Sequence, residues 1–107
     1  MTIDTTVGEG ETTYIEIPYD SNEGVTLKVN VTNGTITVYA SDQTTTPNEA
    51  FYDWMIETDG ESDIFLDPND VNRTIGDTVY VAIEGEDADN DFTFVSEDGD
   101  TTGMLAQ

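Results

Sequence analysis

The apolar residues of this chain recur at every second position, and this spacing limits the fold more than any other feature of the sequence. In the segment VTLKVNV, residues 25–31, every odd position is apolar and every even position is polar. A β-strand turns successive side chains to opposite faces, whereas an amphipathic helix needs apolar residues at i, i+3, i+4 and i+7. No segment of helical length has that second spacing, so the sequence predicts antiparallel β-sheet.

Turn residues divide the alternation into short strands. The further segments with a strand pattern are TYIEIP (13–18), TITVYA (35–40), DIFLD (63–67), TVYVAIE (78–84) and FTFV (92–95). Asn33-Gly34 is a turn sequence that typically joins hairpin strands, so we expect residues 25–31 and 35–40 to pair with each other. Residues 79–84 and 92–95 are expected to form a closing hairpin.

Short strands at this spacing predict the fold class. We expect an all-β protein, an antiparallel β-sandwich of about seven to eight short strands with jelly-roll-like or Greek-key topology. The length of 107 residues fits one domain, 1–107, whose sandwich spans about 11–96 and whose ends are linker-like. We also expect the domain to be a monomeric module within a longer chain.

The charge of the chain excludes several classes of partner. Asp and Glu total 24 against 2 Lys and Arg, which gives a formal net charge of −22. Such a charge repels itself in the compact state, so cations should stabilise the fold. No nucleic acid is expected as a partner, because there is no cationic surface to displace its counterions. No apolar run approaches the length needed for membrane insertion.

The residue types also argue against an enzyme. The chain has no histidine and no cysteine, which removes the commonest general base, the disulfide framework and the cysteine zinc site. The serines therefore have no histidine to activate them. Carboxylate pairs are plentiful, but no long insertion forms a cleft around them as a glycosidase requires.

The segment EGEDADNDF is the first candidate metal site. Asp87, Asp89 and Asp91 stand two residues apart, as do the first ligands of an EF-hand loop, but Phe92 stands where that loop needs glycine. The segment is therefore not an EF-hand, and it either contributes to a site completed from elsewhere or is a solvated acidic turn. The segment ETDGESD, residues 57–63, is a second candidate loop.

Oxygen ligands without histidine or cysteine favour a hard cation, Ca²⁺ before Mg²⁺. The predicted cofactor is therefore Ca²⁺. The predicted ligands are Glu86, Asp87, Asp89, Asp91, Asp59, Glu61 and Asp63.

Aromatic residues flank the long polar loop SDQTTTPNEAF. Tyr39, Tyr52 and Trp54 are candidate ligand-binding residues, since exposed aromatic rings beside amides and carboxylates suit stacking on sugars or gripping a peptide. The alternative for the lone tryptophan of a small β-sandwich is a place in the core.

Three segments, in this order, resemble the bacterial pre-peptidase C-terminal (PPC) domain, a secreted β-sandwich related to clostridial collagen-binding modules. They are TYIEIPYDSNEGVTLKVNVTNG, ITVYASDQTTTPNEAFYDW and GDTVYVAIEGEDADNDFTFV, and together they cover roughly residues 11–96. Residues at places that match the family pattern include Tyr39, Pro47, Tyr52, Asp53, Gly76, Tyr80, Val81 and Gly85. The sequence departs from the pattern at Gly34-Thr35, which replaces an acid, and at Trp54, which replaces a cysteine.

The resemblance implies a non-catalytic accessory module of a secreted or cell-surface protein; some relatives in that family bind Ca²⁺, and some bind collagen or insoluble polysaccharide. The first hypothesis is therefore a calcium-binding accessory or adhesive module. The second is a module that binds an extracellular carbohydrate or protein through its aromatics. The third is a halophilic structural domain with no specific metal site, in which the acids only hold hydration.

Overall fold

The alternating segments form two four-stranded antiparallel sheets. The computed structural model describes residues 2–69 and 75–100. The strands are β1 (Thr2–Gly8), β2 (Thr12–Pro18), β3 (Val25–Asn33), β4 (Ile36–Ser41), β5 (Trp54–Thr58), β6 (Glu61–Leu66), β7 (Thr78–Gly85) and β8 (Asp89–Asp98). This arrangement confirms the predicted all-β antiparallel sandwich.

The strand order of the two sheets places consecutive strands in different sheets. Sheet A has the order β1-β8-β3-β6, and sheet B has the order β2-β7-β4-β5. Strands β1 and β2 therefore occupy corresponding positions, as do β8 and β7, β3 and β4, and β6 and β5. Only β4 and β5 are both consecutive and paired.

The two predicted hairpins are wrong in their partners. Strand β3 pairs with β6 and β8, whereas β4 pairs with β5 and β7, so the Asn33-Gly34 turn carries the chain from one sheet to the other. The same holds for β7 and β8. The alternation of apolar and polar residues shows which side chains point inward but not which strand is the partner. A turn that crosses between two facing sheets is as compatible with this alternation as a hairpin turn is.

The first residues of the chain, expected to be linker-like, form an edge strand. Strand β1 pairs with β8 along its whole length, from Thr2 opposite Val95 to Gly8 opposite Asp89. Val7 is buried and Ile3 packs against the core. Threonines separate these two apolar residues, which is why the sequence pattern is faint here. The corresponding expectation for residues 101–107 lies outside the described residues.

The core lies between the sheets and is built from the inward residues of every strand. The largest fully buried side chains are Phe92, Phe94, Ile17, Leu27, Ile36, Leu66, Ile83, Val25, Val29, Val38, Val79 and Val81. Burying one such side chain contributes about 1.5–3 kcal/mol. This core is what offsets the mutual repulsion of the carboxylates outside it.

The two ends of the sandwich differ. At one end, here called the turn end, the short connections 9–11, 34–35, 59–60 and 86–88 cross between the sheets. Backbone hydrogen bonds join them: Gly10 N donates to Gly85 O (3.0 Å), and Glu86 N donates to Thr35 O (3.0 Å). The opposite end, here called the loop end, carries the longer loops 19–24 and 42–53 and residues 67–69 and 75–77.

The buried side chain of Asn90 fastens the turn end. Its Oδ1 accepts hydrogen bonds from the backbone N–H groups of Thr35 (2.9 Å) and Asp87 (3.1 Å). Its Nδ2 donates to the carbonyl oxygens of Val7 (2.9 Å) and Asp87 (2.8 Å). One amide therefore connects the end of β1 with two turns; its bond to Val7 is buried and the other three are partly buried.

Two glycines allow the turns to approach this amide. Gly34 has a φ of 85°, and a Cβ there would clash with the side chain of Asn90 and the carbonyl oxygen of Asp89. A Cβ at Gly85 would clash with the carbonyl oxygen of Gly8. The close packing of the turn end thus depends on both positions being glycine.

Replacing Asn90 should destabilise the fold strongly. Asn90→Ala removes the hydrogen-bond partner of the buried Val7 carbonyl and of the partly buried Thr35 and Asp87 N–H groups, so we expect a loss of roughly 2–4 kcal/mol of unfolding free energy. Urea denaturation followed by Trp54 fluorescence measures it, since urea, unlike guanidinium, does not screen charge. The control Asn30→Ala removes an exposed amide of β3. Equal urea midpoints for the two variants would contradict this role of Asn90.

Candidate functional site

The predicted calcium ligands do not come together. Glu86 accepts a hydrogen bond from Thr37 Oγ1 in sheet B (3.0 Å), whereas Asp91 accepts one from Thr6 Oγ1 in sheet A (2.5 Å). They diverge because β7 and β8, which flank this turn, belong to different sheets. Asp87 and Asp89 lie between them and are exposed.

The second candidate loop is also not a closed site. Asp59 and Glu61 are exposed at the turn end, and Asp63 lies further along β6, opposite Lys28 of β3. Within residues 2–69 and 75–100, none of the predicted ligands belongs to a group of three acidic side chains close enough to share one cation.

Lys28 is buried although it lies on the outer face of sheet A. Its side chain is only 5% exposed, and its Nζ forms an ion pair with Glu97 Oε1 at 2.7 Å. Asp63 is its cross-strand neighbour on β6. This lysine is therefore held by the carboxylates of its own sheet.

Three carboxylates do meet at the loop end. The ligand oxygens of Asp20, Glu23 and Asp98, here called the loop-end carboxylates, all lie within 4.8 Å of one another. Glu23 and Asp98 are exposed and Asp20 is half-buried. Oxygen ligands at this spacing can hold a hard cation, with water completing its shell.

The loop after β2 positions two of these residues. Asp20 Oδ1 accepts hydrogen bonds from the N–H groups of Asn22 (2.8 Å) and Glu23 (3.1 Å), which closes a tight turn. Gly24 ends it with a φ of 79° and donates its N–H to the carbonyl of Asp20 (2.8 Å). The carboxyl groups of residues 20 and 23 are thereby held on one short loop.

The end of β8 supplies the third residue. Asp98 lies opposite Val25 in the β3–β8 register, and Gly99 N donates to the carbonyl of Gly24 (2.9 Å). Sequence reasoning missed Asp20 and Glu23, because their meeting with Asp98 depends on this pairing of distant strands. The only local signal was an acid on either side of a Ser-Asn turn.

An open cleft of about 540 Å³ lies beside the loop-end carboxylates. Its lining residues are Ile17, Pro18, Val25, Ser96, Glu97 and Asp98. The described pairing of β1 with β8 starts at Thr2 opposite Val95, so the cleft lies beyond the start of β1. Asp98 belongs to both features.

A row of apolar side chains crosses the outer face of sheet B. Tyr14, Ala82, Tyr39 and Met55 are in register across β2, β7, β4 and β5. Tyr14 is 56% and Met55 47% exposed, whereas Ala82 and Tyr39 are buried without belonging to the core between the sheets. The ring of Tyr52 is 5.6 Å from that of Tyr39 and inclined by 58°. These five residues are here called the aromatic row.

Of the three predicted ligand-binding aromatics, the aromatic row contains two. Tyr39 and Tyr52 meet on the outer face, but Trp54 is partly buried against the core. Strand β5 turns Trp54 inward and Met55 outward, so the tryptophan takes the core position that was its alternative. Sequence reasoning missed Tyr14 and Met55, although the alternation that places Ile15 inward also places Tyr14 outward.

Carboxylates border the aromatic row. Glu84 and Glu57 lie in the adjacent register row, and Glu16 lies two residues along β2 on the other side. Burial raises the pKa of the Tyr39 hydroxyl, and the charges of Glu84, Glu49, Glu86 and Glu57 raise it further. The pKa of Glu84 is also raised, first by burial and then by its hydrogen bond with Glu86 and the charges around it. The face is thus an apolar strip in a negative field.

No protein-family model matches the chain, and no curated protein or solved structure matches it significantly. In the part of the chain that the structure describes, no helix is long and apolar enough to cross a membrane. What the domain binds must therefore be inferred from the loop-end carboxylates and the aromatic row.

Glu84→Gln should stabilise the domain at neutral pH. The raised pKa of Glu84 means that folding favours its neutral form; that stabilisation is full below its ordinary pKa of 4.5 and is lost as pH rises through the folded value. The variant should therefore melt at a higher temperature than wild type at pH 7, and the difference should shrink on acidification. Glu16→Gln removes one exposed charge from the same face and is the control. If Glu84→Gln and Glu16→Gln raise the melting temperature equally at pH 7, a specific effect at Glu84 is contradicted.

Proposed function

We propose that this domain is a non-catalytic, calcium-binding accessory module of a larger secreted or cell-surface protein, with a PPC-like β-sandwich. The observation that supports it best is the convergence of Asp20, Glu23 and Asp98, from two distant segments, to within 4.8 Å. The role of the module is to stabilise, space or attach the protein that carries it.

Electrostatics favours a bound cation at these residues. Carboxylates this close repel one another, and the chain has only 2 basic residues to offset 24 acidic ones. A bound divalent ion offsets this repulsion, because it attracts all three carboxylates. Ca²⁺ fits better than Mg²⁺, because an exposed, flexible set of oxygens does not impose the octahedral geometry that Mg²⁺ needs.

The expected affinity supports an extracellular setting. An exposed site of three carboxylates belongs with the weak class of calcium modules, which bind at about 0.1–1 mM and are found outside cells. The PPC resemblance points to the same location. A non-catalytic role agrees with the cleft beside the site, where Ser96 has no histidine anywhere in the chain to act as its base.

Calcium should raise the melting temperature through the loop-end carboxylates. For a dissociation constant of about 1 mM, 10 mM Ca²⁺ contributes about 1.4 kcal/mol, or roughly 5–10 °C in a domain of this size. Melts at constant ionic strength with Ca²⁺, Mg²⁺, Na⁺ or chelator measure the effect. Asp98→Asn should abolish the calcium shift, and the control Asp87→Asn, at the turn end, should keep it.

Three outcomes would contradict this proposal or its site. Identical melts with Ca²⁺ and with chelator would exclude the bound ion. An equal stabilisation by Na⁺ alone would favour the halophilic domain without a specific metal site. Loss of the shift in Asp87→Asn but not in Asp98→Asn would move the site to the turn end.

A second candidate function is the binding of an extracellular protein or carbohydrate by the aromatic row. The exposed large hydrophobic residues of the described chain are Tyr14, Phe51, Tyr52 and Met55, and three of these four belong to that row. Single exposed apolar residues are ordinary, whereas apolar residues grouped on one face are typical of an interaction surface; here Tyr52 and Met55 lie at Tyr39, and Tyr14 lies at the other end of the row beyond the buried Ala82.

The double variant Tyr14→Ser/Met55→Ser tests the second function. We expect it to lose ligands that the wild type captures on arrays of glycans and of matrix-protein peptides, because it removes the exposed ends of the row. Trp54→Phe is the control, since Trp54 packs against the core and its loss should leave capture unchanged. A wild type that captures nothing, or a double variant that captures as much, would exclude this function.

A further inference from the structure

We infer that the aromatic row binds a segment of another protein in which arginine or lysine side chains alternate with apolar ones. This inference rests on the second candidate function and names the class of its ligand. It is carried by the shape of the row, by the charges that border it and by where the basic residues of the chain lie.

The row has the dimensions of a short extended peptide. It crosses four neighbouring strands, which are about 4.8 Å apart, so its ends are separated by roughly 14 Å. An extended segment of about five residues has this length at roughly 3.3 Å per residue. The exposed side chains of Tyr14 and Met55 stand at the two ends of the row, and Tyr39 with Tyr52 fills its middle.

The charges on both sides of the row have the same sign. Glu16 lies on one side, and Glu84 and Glu57 lie on the other. Glu49 and Glu86 are also near enough to Tyr39 to act on its hydroxyl. A ligand bound along the row therefore has carboxylates on both sides.

The domain has no basic group to balance them on this face. Lys28 is the only basic residue among residues 2–69 and 75–100, and it is buried in sheet A with Glu97. The other basic residue of the chain, Arg73, lies outside the described residues. In the described structure, the negative field over the outer face of sheet B is left for a partner to neutralise.

This field discriminates between the classes of ligand. A neutral sugar can donate hydroxyl hydrogen bonds to the carboxylates, but it brings no positive charge to balance them. A second copy of the chain would bring another net charge of −22. A guanidinium group stacks on tyrosine rings and forms paired hydrogen bonds with carboxylates, and lysine supplies the same charge.

A divalent cation is not the occupant of this face. The group of acidic residues with cation-binding spacing in the described chain is at the loop end. The ligand of the row must therefore bring both charge and apolar surface.

The test compares three fluorescent probes at 150 mM NaCl with chelator present. The first is an eight-residue peptide of alternating arginine and leucine, the second replaces each arginine by neutral citrulline, and the third is a neutral hexasaccharide. We expect the arginine peptide to bind about tenfold more tightly than the citrulline peptide, and the sugar most weakly. Fluorescence anisotropy gives the affinities, and amide NMR shifts locate the probe.

The variant Tyr14→Ser/Met55→Ser should weaken the arginine peptide about tenfold, because it removes the apolar contact and leaves the charge of the domain unchanged. Thermal melts show that the variant is folded. Amide shifts of the wild type should concentrate at Ala82 and Tyr39 and their strand neighbours.

A pair of charge variants separates local recognition from the attraction of the whole domain. Glu16→Gln/Glu57→Gln removes two carboxylates beside the row and should weaken the arginine peptide severalfold. Asp4→Asn/Glu61→Gln removes the same charge from exposed positions of sheet A. It should change the affinity for the arginine peptide by less than about twofold.

The outcomes distinguish this inference from the function on which it rests. A hexasaccharide that binds the row in place of the peptide leaves the second function standing and overturns the basic ligand. Equal losses of affinity for the arginine peptide in the two charge variants also overturn the basic ligand, since the attraction would then come from the net charge of the whole domain. Failure of every probe to bind overturns both. Self-association that depends on Tyr14 would make a second copy the occupant.

Discussion

Every pair of consecutive strands except β4 and β5 lies in opposite sheets, and the rest of the molecule follows from this crossing of the chain. Where a turn joins two facing sheets, the side chains on its two flanks are drawn apart. Glu86 is held by sheet B and Asp91 by sheet A for this reason. The same crossing brings backbone groups of three segments together at the turn end, and the buried side chain of Asn90 forms hydrogen bonds with them. The turn end is therefore closed by this amide together with backbone hydrogen bonds, while Glu86 and Asp91 are held on different sheets.

Charge and apolar surface are separated in this domain. The core between the sheets is made of aliphatic residues, two phenylalanines and Tyr19, and the acids lie outside it. A charge of −22 then acts as a uniform repulsion that the core must offset. Two places on the surface differ from this general distribution of acidic residues. At the loop end three carboxylates meet on fixed backbone, and on sheet B an apolar row interrupts the acidic surface.

Much of the fold could be predicted from the sequence, because period two identifies inward residues without reference to their partners. Val25, Val81 and Phe94 are buried as that pattern requires. Strand pairing could not be predicted, since the Asn33-Gly34 turn permits both a hairpin and a crossover. The site was harder still: Asp20 and Asp98 are neighbours only through the β3–β8 register. Tyr39 and Tyr52 were predicted to lie together because they flank one loop, whereas Tyr14 joins them through two strands that no local pattern connects.

The direction of the first and last strands has a mechanical consequence. Strands β1 and β8 are antiparallel neighbours, and the start of one and the end of the other lie at the loop end, with Thr2 opposite Val95. Tension applied to the start of β1 and the end of β8 would therefore load their hydrogen bonds one pair at a time, in an unzipping geometry. In a shear geometry, all these bonds would be loaded together. Opening would start next to Asp98. An ion held by the loop-end carboxylates would tie β8 to the β2–β3 loop, so that peeling β8 away from β3 would need more force when calcium is bound.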